Sequence, residues 1–372
     1  MRALVIGAGV IGASVACSLA RGGATVSVFD RGRPGGGTSA ASLAWVNANN
    51  KTPRAYYDLN VEGMRMHAAL RTEAGGAPWW HGGGNLLIAR GDVADEALRR
   101  RVERLREWDY RAEELTVEAL HELEPDLAPD MLRQAAVAYF PDEGWVDATV
   151  YVHAMLQSAI RAGARLYIGT RARDLTRAGN RVTGIRDQAG ETHDADVVVN
   201  CAGRWADEIG ATAGLGVPLA PNRSLLAITP PALTRLQRVV HTPDCQFRPD
   251  GGGRVMVQAD WVDDAVTASQ ADEPPADLAL NLVQRAARWL PGLSGFGAET
   301  ARIGIRAMPA DGYSVVGPQD GVAGYYVAVT HSGVTLAPFL GRVVAEELLR
   351  GRPDPRLATF RPDRFRASGG AV

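Results

Sequence analysis

MRALVIGAGVIGASVACSLARGGATVSVFD, residues 1–30, decides how the rest of the chain is read. Ala3 to Ile6 is an apolar run of strand length, Gly7, Gly9 and Gly12 follow in G-x-G-x-x-G spacing, and Ala13 to Arg21 reads as a helix. The three glycines do different things. Gly7 permits a sharp turn, Gly9 lets backbone approach a pyrophosphate, and Gly12 lets the helix pack against the strand. A diphosphate would sit at the helix N-terminus, where unpaired N–H groups and the dipole favour an anion. The second strand, Thr25 to Phe29, ends in Asp30, eighteen residues past Gly12 and close to the offset expected of an acid that binds a ribose hydroxyl. A carboxylate there disfavours a 2′-phosphate, so NADP is disfavoured. Taken alone, the stretch fits NAD and FAD almost equally. A signal peptide is the competing reading, since Arg2 precedes a long apolar stretch, but spaced glycines and an adjoining strand serve no purpose in a cleaved leader.

The chain has 372 residues, enough for two or three domains, and 22% charged residues with a net charge of −2 give no reason to expect nucleic acid or an anionic membrane as a partner. Three scattered cysteines, Cys17, Cys201 and Cys245, form no C-x-x-C and suggest neither a disulfide framework nor a metal site. A reducing, cytoplasmic setting is expected, and no other stretch approaches the roughly 20 apolar residues of a membrane span. Lys51 is the only lysine, so the other 39 of the 40 basic residues are arginine. A bias that strong makes most arginines uninformative and draws attention to the lysine.

Beyond Asp30, Arg31 to Gly37 is a flexible turn, and Thr38-Ser-Ala-Ala-Ser42 either lies along a bulky ligand or caps a following helix. Ala44-Trp-Val-Asn-Ala-Asn-Asn-Lys51 is unusually polar and aromatic for a segment leaving a dinucleotide fold, and is a candidate site lining. Helices are expected over Ala55 to Leu70, Asp92 to Tyr110 and Thr116 to Glu124, with strands at Leu86 to Ala89 and Val137 to Phe140. His81, beside Trp79 and Trp80, reads as a structural or surface histidine. Asp147 is a plausible N-cap for a helix to Ala162, strands Arg165 to Leu175 and Arg181 to Asp187 form a hairpin, and Ala195 to Asn200 is a buried strand. That strand ends in Cys201-Ala-Gly203-Arg-Trp205, a second strand-to-glycine turn in which Cys201 reads as a buried thiol. Residues 218 to 299 change character to short strands plus an amphipathic helix at Leu278 to Leu290. The strand Tyr325 to Thr330 then precedes His331-Ser-Gly-Val-Thr-Leu-Ala-Pro338, which opens a helix to Arg350 with Pro338 expected in its first turn.

These pieces together resemble the D-amino acid oxidase superfamily of FAD-dependent amine oxidoreductases, nearest in style to glycine and sarcosine oxidases. The matching segments are the fingerprint to Asp30, Gly37 to Ala41, Val198 to Ala206, Gly304 to Gly312 and His331 to Pro338, in family order. The resemblance implies an α/β fold: a Rossmann-like FAD-binding domain of the glutathione-reductase type over 1–50, 140–218 and 300–372, and an antiparallel-sheet-plus-helix substrate domain over 51–139 and 219–299. It places Gly7, Gly9, Val10, Ile11 and Gly12 at the diphosphate, Asp30 and Arg31 at the ribose, and Thr38, Ser39, Ala44 and Trp45 along the rest of FAD. Ala172 would meet the adenine in mid-strand. Cys201, Ala202, Gly203 and Trp205, together with His331, Ser332, Gly333, Val334 and Thr335, would build the isoalloxazine cavity. The helix N-terminus at His331 to Thr335 could stabilise negative charge on the reduced ring.

Arg306 matches the arginine that relatives use to bind the substrate carboxylate, a role suited to a guanidinium that never deprotonates. Gln246 and Arg248 fall where glycine oxidases place a tyrosine over the substrate, so a wider pocket than glycine needs is expected. No cysteine lies at Gly304 to Pro309, where sarcosine oxidases attach FAD, so non-covalent FAD is expected. Lys51 is either an ordinary surface lysine or a cation near the flavin that helps reduce oxygen. The implied activity is oxidation of an amino acid or N-substituted glycine to an imine, hydrolysed to an oxo acid and an amine, with O2 reduced to H2O2. Two alternatives are a D-amino acid or proline-type dehydrogenase serving a quinone or carrier, and a non-catalytic flavin-binding protein. No metal is expected, and a homo-oligomer is left open.

Overall fold

The computed structural model describes residues 1–73, 76–220 and 222–367, which form three sheets. The last five residues of the 300–372 segment lie outside the described residues. In the first sheet Arg2–Ile6 is central, with Thr25–Asp30 on one side and Val197–Asn200 on the other, all parallel. Val322–Val329 continues the sheet beyond Val197–Asn200, and Arg165–Ile168 extends the other edge. The apolar runs that fill these central strands suit a sheet buried on both faces.

The opening helix is Val10–Arg21, three residues longer at its start than composition suggested. A Cβ on Gly12 would lie 1.8 Å from the carbonyl oxygen of Gly7, so the crossing of helix and turn requires glycine there. Ala148–Arg161 and the long helix Gly333–Arg350 pack with the opening helix on this face, in a core that includes Val15, Leu19, Leu156, Leu340 and Val344. Asp147 caps the first of these as expected, its carboxylate accepting the Val150 N–H at 3.1 Å.

Two expectations fail locally. Arg165 to Leu175 is not one strand: the chain turns at Gly169, so Arg165–Ile168 joins the parallel sheet while Ala172–Ala178 leaves to pair with Arg181–Asp187. Ala172 therefore starts its strand instead of sitting mid-strand. Pro338 is the sixth residue of its helix, one turn deeper than a first-turn proline, so an intrahelical hydrogen bond is missing there.

The second sheet runs in the order Thr300–Arg306, Asn222–Ile228, Val255–Gln258, Gln246–Pro249, Val239–His241, Asn85–Arg90, Ala135–Phe140, Glu113–Leu115, with antiparallel pairing except between Val239–His241 and Asn85–Arg90. Asp260–Ser269 and Ala276–Trp289 cover it around Phe247, Val257, Leu282 and Trp289. Thr300–Arg306, assigned from sequence to the cofactor domain, belongs by hydrogen bonding to this sheet, because its full length pairs with Asn222–Ile228. A small third sheet joins Trp45–Val46, Gly144–Val146 and Trp80–His81. Among the described residues no helix is long and apolar enough to cross a membrane.

Candidate active site

Two cavities flank the short helix Thr38–Ala41. The first, about 430 Å³, opens over the glycine turn. Gly7 and Gly9 form its floor, Asp30 and Arg31 its side, and Thr38 and Ser39 the exit. Gly7 has φ +98°, and a Cβ on it would lie 2.5 Å from the Cys201 carbonyl oxygen, so a bare backbone is required where the strand meets the helix. The Asp30 carboxylate accepts the N–H groups of Ala8 (2.7 Å) and Gly32 (2.8 Å), which leaves lone pairs for a ribose hydroxyl. Ala172, Cys201, Ala202, Gly203 and Trp205 close the far wall, with the Arg31 guanidinium 3.5 Å above the Trp205 ring.

This corrects one expectation: Cys201 to Trp205 lies at the Asp30 end, with the adenosine-side residues and not with His331 to Thr335. The reason is topological, since Val197–Asn200 lies beside Arg2–Ile6 and delivers its turn beside the glycine turn. Burial pushes the Cys201 thiol pKa far up, in keeping with a structural thiol. Val10, Ile11 and Gly12 line neither cavity. The two apolar side chains enter the core, and the Val10 N–H is taken by the Ser39 hydroxyl at 3.2 Å.

The second cavity, about 270 Å³, begins where the first ends, because the same segment continues through Ser42, Leu43, Ala44 and Trp45. Ala44 holds φ +53°, an uncommon conformation for a residue with a Cβ. The opposite wall is the N-terminus of the Gly333–Arg350 helix, represented by His331, Ser332, Val334 and Thr335; Gly333 is in the same turn but does not line the cavity. Thr335 ties the walls together, its hydroxyl accepting the Asn47 N–H at 3.3 Å. The first N–H groups of this helix have no intrahelical partners, which suits the electron-rich edge of a reduced flavin.

The second sheet supplies the third wall. Gln246 and Gln258 are direct cross-strand partners and both face the cavity with Arg306. Arg306 is not free: its Nη2 donates to the Ser224 hydroxyl at 3.0 Å and to the buried Asp263 carboxylate. Asp263 also accepts from Gln258 Nε2 (3.0 Å) and the Leu225 N–H (3.0 Å), and burial raises its pKa against the pull of Arg306. The Arg306 donors without a partner among the described residues are therefore Nε and Nη1.

Arg248, expected beside Gln246, does not line the cavity. It is 3% exposed, donates to the carbonyls of Leu43 (2.6 Å) and Pro249 (2.5 Å), and stacks 4.1 Å over Trp145. The strand carries it past the cavity edge into a structural position.

Lys51 is buried at 9% exposure and lines this cavity, so it is not a surface lysine. Burial lowers its pKa to about 8 against the nearby charge of Glu143. Glu143, 1% exposed and undetected from sequence, accepts from Trp45 Nε1 (2.8 Å), Asn49 Nδ2 (2.9 Å) and the Tyr110 hydroxyl (2.5 Å), and burial raises its pKa to about 7. It thereby pins the Trp45 to Lys51 segment from behind. His331 borders Lys51 and Arg306, and desolvation followed by those two charges lowers its pKa to about 4, leaving a neutral imidazole.

Two adjoining cavities, one with a glycine cradle and acidic wall, the other with a helix N-terminus and a positioned guanidinium, fit the chemistry of FAD. Known proteins agree with that fit. A model of the FAD dependent oxidoreductase family matches residues 2–347. The glycine oxidase of Geobacillus kaustophilus is 28% identical over 366 residues, covering 96% of this chain and 95% of that protein. A crystal structure of glycine oxidase from Geobacillus kaustophilus superposes with a TM-score of 0.85 at 26% identity, covering 98% of this chain and 99% of that one. Iminodiacetate oxidase from a Chelativorans species shares the fold, with a TM-score of 0.84 at 24% identity over 97% of this chain and 99% of its own.

Proposed function

This chain belongs to the FAD-dependent oxidoreductase family, and we propose that it oxidises the C–N bond of an amino acid or N-substituted glycine, with oxygen as electron acceptor. The observation that carries the reading is Arg306, held by Asp263 and Ser224 at the edge of the cavity whose other wall is the helix N-terminus at Ser332.

In this reading the first cavity holds the adenosine and diphosphate on Gly7, Gly9, Asp30 and Ser39, and the second holds the isoalloxazine against Ala44, Trp45 and Val334 to Thr335. Non-covalent FAD is in keeping with Gly304 to Pro309, which offers no thiol. Bound FAD supplies a two-electron acceptor for a hydride from the carbon beside nitrogen. The residues supply position. Arg306 takes the substrate carboxylate through Nε and Nη1, fixing the distance of the adjacent carbon from the helix-lined wall. The neutral His331 adds no charge beside the amine, which must itself be neutral to release a hydride. The imine product is hydrolysed to an oxo acid and an amine.

A screen of anaerobic flavin bleaching with glycine, sarcosine, larger N-carboxymethyl amines, proline and D-amino acids tests this. Bleaching by at least one carboxylate-bearing amine, followed by peroxide formation when air is admitted, is expected. Failure across the panel sinks the reading, and bleaching without peroxide replaces oxygen by another acceptor.

A further inference from the structure

We propose that the second cavity selects amino acids carrying a second carboxylate, on the nitrogen substituent or the side chain, and that Lys51 is the residue that reads it. This rests on the amine-oxidising reading above, whose carboxylate site is Arg306. Arg306 is anchored inside the protein by Asp263, an ion pair with an acid that is 2% exposed. A substrate with one carboxylate satisfies the remaining Arg306 donors and leaves another donor in the same cavity without an acceptor.

That unsatisfied donor is Lys51. Its ammonium lines the same cavity, is nine-tenths buried, and has no hydrogen bond or ion pair among the described residues. An isolated buried ammonium is costly, and burial lowers its pKa, yet at about 8 it still carries a proton at neutral pH. Glu143 does not neutralise it by contact, since its oxygens are occupied by Trp45, Asn49 and Tyr110. Gln246 and Gln258 are uncharged, and Asp260, the acid among the lining residues, is exposed and makes no ion pair with Lys51. The helix N-terminus already provides positive potential on the cofactor side. What Lys51 offers is a compact cation in the cavity that Arg306 also lines, where a carboxylate needs no fork geometry to be held.

Thiodiacetate and (methylthio)acetate test this in the FAD-loaded protein, because they present two carboxylates and one on similar frames and lack an oxidisable amine. Affinity is read from perturbation of the flavin spectrum. The wild type is expected to bind the diacid at least tenfold tighter than the monoacid, and Lys51→Met to bring the two within threefold. Lys51→Gln, which keeps polarity, should give the same collapse should the methionine variant fold poorly. Equal wild-type affinities, or a Lys51 variant that weakens both ligands by the same factor, would overturn the proposal and assign the ammonium to the cofactor or to oxygen. If the diacid preference holds while no amine bleaches the flavin, the binding site stands and the oxidation reading falls.

Discussion

His67 Nε2 donates to the carbonyl oxygen of Val334 at 2.9 Å. That carbonyl would ordinarily accept the N–H of residue 338, four positions on, but Pro338 has none. A histidine from the helix Arg54–Glu73 thus completes the first turns of the helix that walls the second cavity. Burial lowers the His67 pKa to about 4, so the ring is neutral with its proton on Nε2, as donation to a carbonyl requires.

His67→Leu should leave the Val334 carbonyl buried without a partner, at a cost of about 1–3 kcal/mol. We expect a lower Tm and weaker FAD binding by about tenfold, measured by titrating FAD into the stripped protein. His67→Gln, which can still donate, should recover most of both. If the leucine variant binds FAD as the wild type does, the bond does not shape the cofactor wall.

Asp263→Asn should raise KM for a carboxylate-bearing amine about tenfold while changing kcat less, because the loss is in holding Arg306 and not in the reacting atoms. Arg306→Ala should lower kcat/KM by at least tenfold. A loss within about threefold, or roughly 0.65 kcal/mol, would mean the guanidinium does not bind the carboxylate.

Glu143 gives stability a pH signature. Its folded pKa of about 7 lies above the ordinary 4.5, so between those values the native chain keeps a proton the unfolded chain has lost. Its contribution is full below about 4.5, declines as pH rises through 7, and sums to about 3 kcal/mol. Lys51 acts in a separate window, above its folded pKa of about 8, and with the opposite sign. Denaturant unfolding of wild type and Glu143→Gln at pH 5, 6, 7 and 8 should show the difference between them changing over pH 5–7 and then levelling. A pH-independent difference would refute the raised pKa. Asn49 Oδ1, buried without a partner, can turn to accept from the new amide.

Gly63→Ala places a Cβ 2.3 Å from the Thr335 carbonyl oxygen, so the two helices must separate. A loss of about 1–3 kcal/mol is expected from overpacking, with weaker FAD binding because Thr335 moves. Unchanged FAD affinity would show that the crossing can relax away from the cavity.

The glycine turn and the helix opening at Gly333 were legible because their requirements are local: three glycines at fixed offsets, an acid at a strand end and a helix start can be read without knowing the rest of the chain. The residues that hold the active residues were not. Glu143 and Asp142 are adjacent acids in one turn, and only packing makes the first buried and the second half-exposed. Asp263 had one weak signal, an acid between Val262 and Val266 on a face that turns out to be buried. Arg248 was misplaced because alternation fixes which face a side chain takes but not where along the strand the cavity ends. Lys51 stood out by composition, and its burial came only with the third sheet and the Glu143 network.

Gln246 and Gln258 are cross-strand partners on a sheet whose core, around Phe247 and Val257, is separate from the packing beneath the glycine turn. That separation divides the labour between two packing units: a change at the glutamines leaves the core beneath the glycine turn intact, while Gln258, which donates to Asp263, passes any change at its position on to Arg306.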